Sequence, residues 1–282
     1  MHGTTCSVAV LATLLVCDIP RSAAHPLDDV PFDLFQQHLV VTKGAIGALN
    51  DLSLLIDTGT IPSVVDGRIA RKLRLQTEPS QLVAFGQRLA TQSVVLDSVR
   101  IGSLQSGPVP AALGDLSYFG HVRIDAIVGL DVLARSSFSI DYRTHRVRFA
   151  PDEREASVAP LELAWPFMTV RMTVAGQHVR LLVDTGSPDL VLFKARTPLA
   201  LSNLPWKGDK TVNYASGAAR LLRLELRQPR LGSRTWDKLA AWSLDRPLDG
   251  YPTSIDGVLG VVALRCRRVT FDFGRSELGW TP

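Results

Sequence analysis

Cysteine is nearly absent from the 282 residues, with three in all, at positions 6, 17 and 266. Zinc-finger spacing is missing, and a disulfide-stapled scaffold is excluded. Charge of one sign is also scarce in blocks: 31 basic against 27 acidic residues leave a formal +4, without a long Lys/Arg cluster or basic-aromatic interleaving. A nucleic-acid partner is therefore not expected, and the pairs Arg71-Lys72 and Arg267-Arg268 are read as solvated edges. No apolar run approaches the ~20 residues of a membrane span. His25, His38, His121, His145 and His178 show no metal-ligand spacing, no serine lies in a Gly-x-Ser-x-Gly frame, and no phosphate-binding glycine loop is found. No metal or cofactor is expected. What remains is a chain with 46% hydrophobic and 21% charged residues, enough for a packed core and long enough for two lobes of roughly 100–150 residues.

The first residues differ in kind. An apolar stretch from Ser7 to Val16 precedes Ser22 and Ala24, which stand at the −3 and −1 positions of a signal-peptidase site. Residues 1–24 are therefore read as a signal peptide cut before His25, although the opening MHGTTC carries no Lys or Arg. The mature protein would then be periplasmic or secreted. Lipid attachment at Cys17 stays open. After cleavage Cys266 is alone, and it is read as a bland, buried thiol.

The most informative feature is an internal repeat. LSLLIDTGT at 52–60 matches HVRLLVDTGS at 178–187, and DAIVGLDVL at 125–133 matches DGVLGVVAL at 256–264. SFSIDYRTHRVRF at 137–149 then matches RVTFDFGRSELGW at 268–280, and Phe85-Gly86 stands against Ser216-Gly217. Asp57 and Asp184 are 127 positions apart, and Gly129–Gly260, Asp141–Asp272 and Gly86–Gly217 are each 131 apart. Four matched landmarks in the same order indicate two copies of one fold. The boundary falls near 155, in the polar stretch 152–160, giving lobes at 25–155 and 156–282.

Within each copy the pattern is that of strands. TVRMTVAGQHVRLLVD (169–184) alternates polar and apolar around Ala175-Gly176, a hairpin whose second strand runs into Asp184. Residues 220–236, 93–103 and 145–151 alternate likewise. A helix is expected over 64–75, with Val65, Ile69 and Leu73 on one face, and 103–114 reads as a loop from its Gly and Pro content. The segments AIVGLDVLAR and GVLGVVALRC read as a buried strand leading into a brief helix. Asp125, Asp256, Asp141 and Asp272 are read as serving the fold, and Trp165, Trp206 and Trp280 as core or rim.

Each Asp-Thr-Gly turn follows a buried-looking run, Leu54-Leu55-Ile56 or Leu181-Leu182-Val183, where a carboxylate needs hydrogen bonds. Gly59 and Gly186 allow a tight turn that brings N–H groups toward the carboxylate. The hydroxyls of Thr58 and Thr185 can tie the turns together, and those of Thr60 and Ser187 can bond the Asp oxygens. Facing each other, Asp57 and Asp184 would lie about 3 Å apart and share one proton, because both cannot ionise there. The titration then belongs to the pair. One carboxylate can deprotonate a water while its protonated partner donates to a carbonyl oxygen; a lone Asp cannot do both.

Asp57-Thr58-Gly59-Thr60 and Asp184-Thr185-Gly186-Ser187 resemble the active-site signatures of aspartic peptidases of the pepsin/retropepsin kind. Ile127-Val128-Gly129 and Val258-Leu259-Gly260 are similar to the apolar-apolar-Gly element that supports each catalytic loop there. The resemblance covers most of 35–150 and 165–282. It implies an all-β, bilobal acid-protease fold, with two homologous barrel-like lobes about a pseudo-two-fold axis, as if two retropepsin-like copies shared one chain. It also implies a monomeric aspartic endopeptidase acting on peptide or protein, with Asp57 and Asp184 catalytic. By position the substrate-covering flaps would be Phe85-Gly86 in the first copy and Tyr214, Ser216 and Gly217 in the second. Pepsin-like flaps carry a tyrosine that the first copy lacks, so two flaps, or a flap on the second lobe, stay open. The short, acidic segment 25–34 is unlike the long basic pro-segments of pepsin-like zymogens, so self-inhibition is not expected. Two other readings remain open. One is a non-catalytic peptide-binding or sensor protein of the cell envelope; the other is a structural role, which would leave the carboxyls too far apart to share a water.

Overall fold

The computed structural model describes residues 29–84, 87–164, 166–198, 201, 207–214, 217–246, 248 and 250–282. The signal-peptide reading, Cys17, Phe85, Gly86, Trp165, Trp206 and Ser216 lie outside these residues.

The chain is mostly β, and the two lobes are built alike. In the first, the strand Leu49–Ile56 that delivers Asp57 pairs in parallel with Ala126–Val128, which runs antiparallel to Ser63–Asp66. Ser63–Asp66 then pairs in parallel with Val109–Gly114, and Val109–Gly114 antiparallel with Gln87–Leu96, the second arm of a hairpin begun by Glu78–Ala84. The second lobe repeats every step with Gln177–Asp184, Gly257–Gly260, Leu190–Phe193, Lys238–Leu244, Gly217–Arg227 and Asp209–Tyr214. Order and direction agree throughout, which makes the architecture a bilobal all-β fold with internal pseudo-two-fold symmetry.

Alternation explains the strands. Along Phe167–Val174 the side chains of Met168, Val170, Met172 and Val174 are buried while Arg171 is exposed, the period-2 pattern of a sheet with one covered face. The hairpin turns at Ala175 and Gly176, with φ of +49° and +75°, the left-handed pair that a tight two-residue turn demands.

The lobes join through a sheet of strands from both copies. Phe138–Asp141 pairs antiparallel with Arg268–Asp272, placing Ser139 opposite Thr270. These two residues are each other's counterparts in the repeat, so the two-fold axis passes between them. Phe138 stacks on Phe271 with ring centroids 4.6 Å apart, and one buried apolar cluster runs through both lobes at this junction. Asp29–Phe35 borders the sheet on one side and Ser157–Pro160 on the other. Residues 29–34 are thus part of the framework and not a cover for a cleft.

Three sequence expectations need correction. Residues 103–114 are not a loop: Leu104–Ser106 and Val109–Gly114 are strands, because Val109, Ala111 and Ala112 are buried between strands on both sides. The helix expected over 64–75 is confined to Gly67–Lys72, since Val64 and Val65 are drawn into a strand and Asp66 caps the helix by accepting from the Arg68 N–H. Glu155 is 7% exposed and accepts from Arg268 at 2.6 Å, from the Thr270 hydroxyl at 2.7 Å and from the Thr281 hydroxyl. Arg268 is accordingly an anchor of the inter-lobe sheet and no solvated edge, whereas Arg71 and Lys72 are exposed at the helix end.

The aspartates assigned to the fold hold backbone. Asp125 accepts from the Ser53 N–H and Asp256 from the Arg180 N–H, at 3.0 and 2.8 Å, in matching places. Asp141 and Asp272 each accept backbone N–H groups of the following turn. Trp280 is fully buried against Trp236, and burial pushes the Cys266 thiol up to about 12, leaving it inert at neutral pH.

Candidate active site

The two Asp-Thr-Gly turns meet where the lobes meet. Parallel pairing of each preceding strand with its apolar-apolar-Gly strand brings Asp57 and Asp184 to the ends of buried runs, with the Asp57 N–H donating to the Val128 carbonyl at 3.0 Å.

Four hydrogen bonds lock the turns together. The Thr58 N–H donates to the Thr185 hydroxyl at 3.0 Å, and the Thr185 N–H to the Thr58 hydroxyl at 3.1 Å. Each hydroxyl then donates across the junction, Thr58 to the Val183 carbonyl and Thr185 to the Ile56 carbonyl, both at 3.0 Å. Both threonines are buried, and the N–H and hydroxyl of each are paired within the protein.

Gly59 and Gly186 serve a close approach. A Cβ on Gly59 would stand 2.5 Å from the Asp184 carboxyl carbon, and one on Gly186 would stand 2.7 Å from an Asp57 oxygen. Each glycine thus faces the other lobe's carboxyl. Gly129 and Gly260 are constrained in the same way, since a Cβ there would lie 2.2 Å from the carbonyl oxygens of Thr60 and Ser187. These two glycines pack the supporting strands directly under the turns.

The carboxyls of Asp57 and Asp184 face each other across the junction, each against the glycine of the other turn, and each perturbs the other's titration, as expected of a pair that shares one proton. Both are enclosed by protein yet keep part of their surface open, as groups at the floor of a cleft do. Burial raises the Asp57 carboxyl above the ordinary 3.8; the Thr60 hydroxyl, the Gly59 N–H, Asp184 and the Thr60 N–H oppose the rise. Asp184 is held well above the ordinary value, first by burial and then by the negative charge of Asp57.

The donors are unequal. The Thr60 hydroxyl donates to Asp57 Oδ2 at 2.8 Å. Ser187, its counterpart, does not reach Asp184: its hydroxyl is engaged by the backbone of Asp189, at 3.3 Å to the carbonyl and 3.4 Å to the N–H. The turn N–H groups serve both alike, Gly59 donating to Asp57 at 2.8 Å and Gly186 to Asp184 at 2.7 Å. Asp57 is therefore the better-solvated anion, and the shared proton rests on Asp184.

The hairpins expected as flaps are present up to their tips. Ala84 pairs with Gln87 and Tyr214 with Gly217; the side chain of Tyr214 is outside the described residues. Sequence reasoning missed Tyr118, in a short helical turn Leu116–Phe119. Although 53% of Tyr118 is open to solvent, its phenol is pushed up to about 12 by surrounding protein and secondly by the charge of Asp57. Its ring lies 4.3 Å from that of Phe119, centroid to centroid. Two adjacent aromatics just ahead of the Asp125–Gly129 element were the available signal. Ser63 and Asp131 were missed too: they bond to each other at 2.7 Å and support Gly129.

Among the described residues no group of three or more His, Cys, Asp or Glu is placed to hold a metal ion. No helix among them is long and apolar enough to cross a membrane.

Two β lobes with paired Asp-Thr-Gly turns define the class of bilobal, aspartic-protease-like proteins. The aspartyl protease family model matches residues 42–132 and 170–262, once per lobe. The chain belongs to the aspartyl protease family, with two retropepsin-like copies in one chain. Comparison with curated proteins finds no match.

Proposed function

We propose that the protein is an aspartic endopeptidase in which Asp57 and Asp184 act as one catalytic dyad, without metal or cofactor. The observation that carries this reading is the apposition of the two half-buried carboxyls across the lobe junction, each against the other turn's glycine, with unequal donors around them. A water between them loses a proton to the Asp57 carboxylate as it attacks the scissile carbonyl, while Asp184 donates its proton to the carbonyl oxygen. The gem-diol then collapses. Asp57 protonates the departing nitrogen, Asp184 takes back a hydroxyl proton, and the C–N bond breaks with the dyad restored.

The substrate is a peptide or protein segment running between the hairpins, with the Tyr118–Phe119 pair forming an aromatic wall on the first-lobe side. One chain supplies both carboxyls, so the active form is the monomer, exported to the periplasm or secreted after loss of residues 1–24.

The test is cleavage of a mixed peptide library by the chain from His25 onward across about pH 3 to 8, beside Asp57→Asn and Asp184→Asn. Cleavage that vanishes in both variants supports the dyad. Intact peptides throughout, from folded protein, would reject general proteolysis and favour the peptide-binding reading.

A further inference from the structure

Asp189 lies two residues beyond Ser187, and its carboxylate is held from two other strands. Lys210 Nζ donates to Oδ2 at 2.5 Å and Trp242 Nε1 donates to Oδ1 at 2.9 Å. The Lys210 ammonium also sits 4.2 Å from the centroid of the Trp242 ring, so one cation meets both a carboxylate and an aromatic face. Lys210 belongs to the first arm of the second hairpin, and Trp242 to the strand beneath it, opposite Arg223.

The backbone of Asp189 reaches into the site. Its carbonyl accepts the Gly260 N–H at 2.8 Å, and its N–H and carbonyl hold the Ser187 hydroxyl. A continuous set of contacts thus joins the hairpin through Asp189 to the turn that carries Asp184.

The first lobe has none of this. Strand pairing identifies the counterparts: Val64 opposes Ala112 as Val191 opposes Trp242, and Thr91 opposes Ser80 as Leu221 opposes Lys210. The place of Asp189 in the turn is taken by Pro62. Ser80, Pro62 and Ala112 can form neither the ion pair nor the ring contact. The cluster is therefore particular to the second lobe and not a general requirement of the fold.

We propose that Lys210 and Trp242 are positioning residues that fasten the second hairpin to the Asp184 turn, so that substrate capture under that hairpin depends on the Lys210–Asp189 pair. The proposal rests on the reading of Asp57 and Asp184 as the catalytic dyad. Neither Lys210 nor Trp242 touches the reacting atoms. The side chains of Lys210 and Asp189 are 34% and 22% exposed, shielded enough for the pair to hold position against solvent.

The experiment compares the full chain with Lys210→Met and Lys210→Arg by amide hydrogen exchange and by steady-state peptide cleavage. Lys210→Met is expected to speed exchange about tenfold over 187–191 and 209–214 while 78–84 is unaltered, since only local opening is made easier. In cleavage it raises KM about tenfold with kcat within about twofold, because Asp184 keeps its own donors. Lys210→Arg, which retains the charge and can stack on the ring, restores both. Unchanged exchange over 187–191, or a lower melting temperature with KM intact, would overturn the proposal and leave a merely stabilising ion pair. If the wild-type chain cleaves no peptide, the protease reading falls, and the exchange pattern still decides whether the hairpin is fastened to the turn.

Discussion

Thr58 and Thr185 exchange hydrogen bonds in both directions, each backbone N–H donating to the other's hydroxyl at 3.0 and 3.1 Å. The two lobes are thereby joined at the base of the candidate dyad, and each hydroxyl donates its own hydrogen bond to a carbonyl of the opposite lobe. No bond in this set can be removed without stranding a buried partner.

Replacing Thr58 by Val keeps the shape and deletes the hydroxyl. The Thr185 N–H then loses its acceptor in a site that water does not reach. Urea unfolding is expected to show a loss of about 1–3 kcal/mol, the cost of an unpaired buried donor, whereas Thr58→Ser stays near wild type. A Val variant as stable as the parent would mean that the turns are not held by these bonds.

Gly186→Ala tests the close approach. Its new Cβ would fall 2.7 Å from an Asp57 oxygen, forcing the carboxyl out of line with its partner. A drop in kcat of about a hundredfold is expected from a displacement on the order of 1 Å, measured on purified protein whose circular dichroism spectrum is unchanged.

The unequal donors predict unequal effects on the pH profile. Thr60→Ala removes a hydroxyl that stabilises the Asp57 anion, so the acidic limb of kcat/KM should move upward by about one pH unit. Ser187→Ala removes a hydroxyl that does not reach Asp184 and should leave both limbs in place. Equal shifts in the two variants would contradict the assignment of the proton to Asp184.

Stability should follow the same logic. Asp184 is held well above the ordinary 3.8, so the folded chain binds its proton more tightly than the unfolded chain does. Between the two values the folded state carries more protons, and stability falls as pH rises through that window. Asp184→Asn has nothing to ionise there. Denaturant curves from about pH 4 to 7 are expected to show the wild type losing at least about 1 kcal/mol relative to the variant; parallel curves would show that Asp184 is not raised.

Local order carried a good deal of this protein into its sequence. Alternation along 169–184, the left-handed pair Ala175-Gly176 and the repeated Asp-Thr-Gly frame each depend on residues a few positions apart. They therefore announce strands, a hairpin and two matching turns without knowledge of the rest. The spacing of the landmarks gave the two-lobed arrangement, because two copies of one unit must bury the same faces. Where composition was weighed without neighbours the reading failed. Residues 103–114 look like a loop by Pro and Gly, but strand pairing makes two strands of them, the second flanked on both sides.

The asymmetry of the site belongs to tertiary structure alone. Thr60 and Ser187 are near-equivalent in the repeat, yet only Thr60 reaches its carboxyl, because Asp189 engages Ser187 and is itself held by Lys210 and Trp242. Glu155 lies in a polar stretch and becomes a buried anchor through Arg268, Thr270 and Thr281. Tyr118 comes under the charge of Asp57 only once the strands between them are folded. The contacts of Lys210 and Trp242 with Asp189, of Glu155 with its partners and of Tyr118 with Asp57 join residues about twenty or more positions apart, and no periodicity encodes them. Two similar turns are written in the chain; which carboxyl keeps the proton is decided by what packs around each.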